Sequence, residues 1–251
     1  MHSIAAVDAA VQVFPYAEEV LVEADPGADA GVDVAAPVAV PAPAPDIAVE
    51  VVRQPLAKRI VDVVLASTAL VALAPLLGIL LVAVALDTGA SPVFVQVRTG
   101  RGGKRFRMLK LRTMVADAEK RLAELIHLNE VQWPMFKMRN DPRITKLGRF
   151  LRASSMDELP QLINIVKGDM SLVGPRPPLP HEVAVYTAEQ ARRLSVLPGL
   201  TGVWQVSGRA DCSFEQAVAL DLGYIDNHSL GMDFHIMLRT FAAVLRRNGA
   251  Y

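Results

Sequence analysis

The strongest pattern in the chain is a run of apolar positions broken by no charge. Residues 63–86 hold 24 consecutive residues without Asp, Glu, Lys or Arg. A straight helix of that length measures about 36 Å, enough to cross a hydrocarbon core of about 30 Å. Pro75 lies at its middle and Gly78 follows closely, so the pattern predicts a helix kinked at the missing amide donor. Lys58 and Arg59 precede the run and a basic stretch from Arg98 to Arg112 follows it. Positive flanks on both sides favour the same compartment for both ends. A helix that dips into one leaflet and returns satisfies that preference. A single-span anchor and a buried soluble helix remain the alternatives.

After the run the period changes. Residues 92–97 read as a short strand and Gly100-Arg101-Gly102-Gly103 as a turn. Residues 105–112 alternate apolar and basic positions, a second strand with one cationic face. Together they predict a β-hairpin. Leu122, Leu125 and Ile126 have helical spacing within 116–130. A helix over 159–166 ends at Gly168, and 214–224 and 234–245 read as helices. The last carries Arg239, Arg246 and Arg247 beside Met237, Phe241 and Leu245, suited to packing on the body or lying on an anionic membrane surface. The expected fold is mixed α/β and mostly helical: an N-terminal re-entrant membrane helix and a small cytoplasmic domain with a short β-hairpin and amphipathic surface helices.

Composition adds an asymmetry. The 251 residues carry 26 basic and 26 acidic side chains, but residues 1–52 hold nine acids and neither Lys nor Arg. The remainder has 17 acids against all 26 bases, nine positive charges in surplus. Residues 1–52, rich in Ala, Val, Pro and Asp, read as a disordered acidic leader with room for short helices over 5–13 or 17–22, and lack the basic start of a secretory signal. Residues 53–90 read as the membrane segment and 91–251 as a basic globular body. The one cysteine, Cys212, excludes an intrachain disulfide framework and a Cys-rich zinc site. Aromatic residues make up only 6%, which argues against a single-stranded nucleic acid platform.

The chemistry concentrates in Arg152-Ala153-Ser154-Ser155-Met156-Asp157-Glu158-Leu159-Pro160-Gln161. Ser155-x-x-Glu158 fits a helix capping box. Asp157 and Glu158 also fit a divided task, nucleophile and ligand to a divalent cation, provided cations neutralise a phosphate nearby. Lys110, Arg112, Arg143, Lys146, Arg149, Arg152 and Arg176 supply candidates. Arg176 stands between Pro175 and Pro177, on a stiff backbone that costs little entropy on binding an anion. Residues 198–209 read as a turn, a short strand and a polar end; Gln205, Ser207 and Arg209 are candidates to face a nucleotide, and Trp204 reads as a fold anchor. Gly100-Arg101-Gly102-Gly103-Lys104 lacks the spacing and the Ser or Thr of a P-loop, and no G-x-G-x-x-G opens a helix.

The order of motifs resembles the bacterial sugar transferase family, the monotopic polyprenyl-phosphate phosphoglycosyl transferases. It runs Lys58-Arg59…Asp62, Pro75, Lys110-Leu111-Arg112-Thr113-Met114, Asp141-Pro142-Arg143-Ile144-Thr145, Leu151-Arg152…Ser155-Met156-Asp157-Glu158-Leu159-Pro160-Gln161, Gly168-Asp169-Met170-Ser171-Leu172-Val173-Gly174-Pro175-Arg176-Pro177 and Pro198-Gly199-Leu200-Thr201-Gly202. The resemblance covers about residues 55–251 and is nearest to the short exopolysaccharide galactosyl- and glucosyl-phosphate transferases, down to the ending Gly249-Ala250-Tyr251. Met156 stands where the family usually has Leu. The family's larger members add an N-terminal membrane bundle, where this chain has its acidic leader.

The resemblance implies that Asp157 attacks the β-phosphate of a UDP-sugar, releasing UMP, and that undecaprenyl phosphate then takes the phosphosugar. Glu158 would help hold Mg²⁺. Arg152 and Arg176 would bind phosphate, with Lys110, Arg112 and Asp169 as further substrate contacts. The partners would be UDP-glucose or UDP-galactose, undecaprenyl phosphate and membrane lipid at the bacterial inner membrane, with no nucleic acid; a homodimer is compatible with the sequence. The rival reading is a non-catalytic membrane-bound adaptor whose acidic tail recruits partners.

Overall fold

The computed structural model describes residues 49–130, 138, 140–207 and 213–245. The expected leader lies almost wholly outside these residues, as do Arg209, Cys212, Arg246 and Arg247. The described residues fall into two units, 117–143 and the rest. The larger one carries every element discussed below except α2.

Helix α1 spans Leu56–Thr88, 33 residues, and ends at Gly89, whose φ of 63° places the C-cap in the left-handed region. It runs without interruption through Pro75. Its buried positions are Lys58, Asp62, Ala66, Leu80 and Val84. Between them Ala69, Leu70, Leu76, Leu77 and Leu81 touch the core. These residues recur at helical spacing along one stripe. Leu56, Ile60, Val64, Val71, Ile79, Val82 and Leu86 are exposed on the opposite side. The helix is long and apolar enough to cross a membrane, yet it lies along the body at both ends.

Strands β1 (Val93–Thr99) and β2 (Arg105–Leu111) form the expected hairpin, antiparallel, with Val93 opposite Leu111 and Thr99 opposite Arg105. The expectation of one cationic face does not hold. Strand faces alternate with period two, so Arg105 and Arg107 lie on the opposite face from Lys110. In the small unit, α2 covers Ala118–Leu125 and passes into a 3₁₀ turn. Arg143 is clasped there by Asp141, at 2.6 Å from Nη2 to Oδ2.

The larger unit continues with α3 (Lys146–Ala153), α4 (Gln161–Lys167), β3 (Ser171–Val173), α5 (Pro180–Val183), α6 (Ala188–Ala191), β4 (Gly199–Thr201), α7 (Val203–Ser207), α8 (Phe214–Asp226) and α9 (Leu230–Leu245). Helix α4 stops where expected, at Gly168 with φ 96°. Strand β3 pairs in parallel with β4, Ser171 with Gly199 and Val173 with Thr201. The strand expected over part of 198–209 is limited to Gly199–Thr201, and Trp204 lies on a short helix instead. A Cβ on Gly199 would stand 2.1 Å from the Gly174 nitrogen, so only glycine allows the two loops to cross at that distance.

Two apolar clusters hold α1 to the body. Ala66 packs with Met108, Leu162, Ile165 and Met170; Leu80 and Val84 pack with Leu111 and Leu151. Polar contacts fix the helix start. Lys58 Nζ donates to Asp233 Oδ2 at 2.8 Å and to the Val173 carbonyl at 3.1 Å. Asp62 accepts from the Leu172 amide at 3.0 Å. Arg59 donates to the carbonyls of Ile165 and Val166 at the C-terminal end of α4.

Candidate active site

Helix α3 places the first cation. Thr145 caps it, accepting from the Gly148 amide at 2.8 Å. Gly148 then rests directly on the backbone of Thr113, where a Cβ would stand 2.0 Å from the carbonyl oxygen. One turn later Arg152 donates through Nε to Thr113 Oγ1 at 2.9 Å. The segment Lys110–Thr113 and the end of α3 are thereby joined.

The chain leaves α3 through Ser155, the one non-glycine residue with positive φ among the described residues, at 55°. Its side chain makes no cap, and Met156–Glu158 is a 3₁₀ turn rather than the first turn of an α-helix. The capping-box reading is therefore corrected: with Ser155 left-handed, the Glu158 side chain turns outward to Lys110. Lys110 Nζ donates to Glu158 Oε1 at 3.0 Å. Asp157 is buried, 9% exposed. Burial and the neighbouring Glu158 charge push its carboxyl up to about 6, against the opposing pull of Lys110 and Arg152. A buried acid between a like charge and two cations is an arrangement typical of sites that do chemistry.

A second group of cations stands on the loop after β3. Arg176 Nη1 meets Glu182 at 3.3 and 3.4 Å. Arg98, which the sequence marks only as the first residue of a basic stretch, is buried at the end of β1. It donates to Gln96 Oε1 and, at 3.0 Å, to the Pro177 carbonyl. Burial and the charge of Arg176 lower its guanidinium to about 9, and Glu158 is among the anions opposing that shift. Arg98 thus feels the charges of both Arg176 and Glu158. An Arg opening a basic stretch reads as well as a surface charge.

Two further expected residues make contacts within the fold. Arg112 donates to the Ser91 carbonyl at 2.8 Å and lies 5.8 Å from the Phe94 ring centre, at the open end of the hairpin. Asp169 accepts from Asn164 at 3.2 Å, and Asn164 also bonds the Leu109 amide and the Arg107 carbonyl. That contact braces α4 against β2.

The acid pair, with Lys110 and Arg152 acting on Asp157, thus stands on a body packed against a helix of membrane-spanning length. The pattern of the bacterial sugar transferase family matches residues 53–247, and the chain belongs to that family. It is 44% identical over 198 residues to the UDP-galactose-lipid carrier transferase of Erwinia amylovora, covering 77% of this chain and 41% of that one. It is 40% identical over 200 residues to the exopolysaccharide production protein ExoY of Rhizobium meliloti, covering 78% and 88%. Over 205 residues it is 40% identical to the UDP-glucose:undecaprenyl-phosphate glucose-1-phosphate transferase of Caulobacter vibrioides, covering 78% and 72%. The chain spans about two fifths of the length of the first of these relatives.

Proposed function

We propose that the protein transfers a hexose 1-phosphate from a UDP-sugar to undecaprenyl phosphate, the first membrane step of exopolysaccharide synthesis. The observation that carries this reading is Asp157: a buried carboxyl pushed to about 6 beside Glu158, with Lys110 and Arg152 acting on it. At neutral pH it is mostly ionised and poorly solvated, which suits a nucleophile. A carboxylate oxygen of Asp157 attacks the β-phosphorus. The bond from that phosphorus to the bridging oxygen breaks, and UMP leaves with the bridging oxygen. A phosphate oxygen of the lipid then attacks the same phosphorus, the acyl-phosphate bond breaks, and the Asp157 carboxylate is restored. Arg152, Arg176 and Lys110 neutralise phosphate charge along this path. The names of the relatives support UDP-glucose or UDP-galactose as donor.

The described residues hold no cluster of three metal-ligating side chains. Mg²⁺ takes one or two carboxylates and completes its shell with substrate phosphates and water. Glu158, with Lys110 on one oxygen, would hold it, and the ion would supply further neutralisation of the diphosphate.

Helix α1 supports a monotopic reading. Its start is pinned to the body through Lys58 and Asp62 and its end through Leu80 and Val84, so both ends share the body's side. The exposed apolar stripe then faces lipid, with the body at the cytoplasmic face of the inner membrane. The chemical test is incubation with a panel of UDP-sugars without lipid. The wild type gains the mass of one hexose phosphate and releases UMP; Asp157→Asn does neither. Kinetics requiring a ternary complex, with no adduct, would overturn the covalent step.

A further inference from the structure

Arg176 is only partly buried, with 31% of its side chain exposed, and its anchor is Glu182. Glu182 is 2% exposed, at the start of α5. Its carboxylate does two different things. Oε2 takes a short bond, 2.7 Å, from the Leu179 amide, which suffices to hold the turn. The contact to Arg176 is longer and uses one nitrogen, Nη1, against both oxygens. A guanidinium has five N–H donors, so Arg176 keeps others for an incoming anion. The backbone behind it is stiff. Pro175 and Pro177 flank it, Arg98 holds the Pro177 carbonyl, and the Thr99 amide holds the Pro178 carbonyl at 2.9 Å.

We propose that Glu182 is a positioning residue: its buried carboxylate holds the partly exposed Arg176 guanidinium toward the diphosphate of the nucleotide, with buried Arg98 bracing the loop behind it. The proposal rests on the reading of Arg176 as a phosphate contact. Two guanidiniums at close quarters repel each other. Glu182 acts on both and offsets that repulsion before any substrate arrives. Burial pushes the Glu182 carboxyl up, yet Arg176 and Arg98 outweigh it, aided by the Leu179 bond, and hold it below the ordinary carboxylate range. The acid stays charged throughout the physiological range, as a fixed counter-ion must. Without it Arg176 would swing freely and lose rotamer entropy on binding.

The test is a double-mutant cycle read on UDP binding by titration calorimetry. Glu182→Gln keeps an acceptor for the Leu179 amide and removes the charge. In the wild-type background it weakens UDP binding about tenfold. In an Arg176→Ala background the same change alters binding less than twofold, because nothing is left to position. Equal losses in the two backgrounds, or no loss in the first, would overturn the proposal. Glu182→Asp guards against misfolding: it keeps the charge and binds UDP more tightly than the Gln variant, and binding no better than Gln sinks the idea. Release of UMP from UDP-sugar is measured separately on the wild type. A protein that binds UDP and obeys the cycle but releases no UMP refutes the reaction and leaves the role of Glu182 standing. A wild type that fails to bind UDP refutes both.

Discussion

Keeping the Asp157 carboxylate charged inside the body costs the fold stability, and the sign of that cost can be measured. An ordinary Asp carboxyl titrates near 3.8, and burial raises this one to about 6. Between those values the folded chain keeps a proton that the unfolded chain releases. Stability therefore falls as pH rises through that window. The cost is absent below about 3.8, fully present above about 6, and on the order of 1–3 kcal/mol. Asp157→Asn removes the charge while keeping the shape. At pH 7.5 it should melt at a higher temperature than the wild type, and the gap should close as the pH is brought down to 4. A variant no more stable at pH 7.5 would show that Lys110 and Arg152 already balance the burial. With Asp157 as the proposed nucleophile, the same titration predicts that transfer activity declines as the pH is lowered through about 6, where its carboxylate takes up a proton.

At the scale of elements, the site depends on how closely α3 approaches the segment that follows β2. Gly148 sits on Thr113 with no room for a Cβ, which would lie 2.0 Å from the carbonyl oxygen. Gly148→Ala must push α3 away, at a cost of about 1–3 kcal/mol or more in an interior packed this tightly. The displacement passes one turn along to Arg152 and breaks its bond to Thr113. Thermal unfolding of the variant should drop by several degrees, with UDP-sugar turnover reduced more steeply than global stability accounts for. An Ala variant as active and as stable as the wild type would show that the contact can relax.

These elements also show what a sequence can and cannot disclose. The hairpin was legible from its Gly-rich turn and alternating residues, and the end of α4 from Gly168. The acid dyad, Lys110 and Arg152 stood out because charges crowd where apolar spacing falters. The β3–β4 pairing was not legible: three residues are too few for a period, and the partners lie 28 residues apart. Nor was the left-handed Ser155, since Ser carries no conformational signature there. Arg98 and Glu182 were hidden because burial of a charged side chain is decided by tertiary partners: Pro177, 79 positions from Arg98, and Arg176, which meets Glu182 only once the loop after β3 folds back. The buried face of α1 was hidden for the opposite reason: with apolar residues all round, no stripe marks the side that meets the body.

For the whole molecule the question is which way the long helix faces. Lys58 and Arg59 look in the sequence like cytoplasmic flanking charges, left in water by the positive-inside preference. In the fold they are consumed. Lys58 is almost fully buried against Asp233, and Asp233 also accepts from Tyr224 at 2.7 Å and meets His228 at 3.1 Å. A buried ion pair is costly to break once formed, because one partner left alone is an uncompensated charge worth about 3–5 kcal/mol. The pair therefore ties the start of α1 to α9, while Leu80 and Val84 tie its far half to α3 and β2. A helix tied at both ends to one body cannot carry its end across a bilayer without tearing out the second cluster. Single cysteines at Gln54 and Ser91, just before and just after α1, in a Cys212→Ser background should both react with an impermeant thiol reagent applied from the cytoplasmic side and neither from the periplasm. Periplasmic labelling at either position would mean that α1 leaves the body in the membrane and spans it, and the packing of Leu80 and Val84 against Leu111 and Leu151 would belong to a different state of the protein.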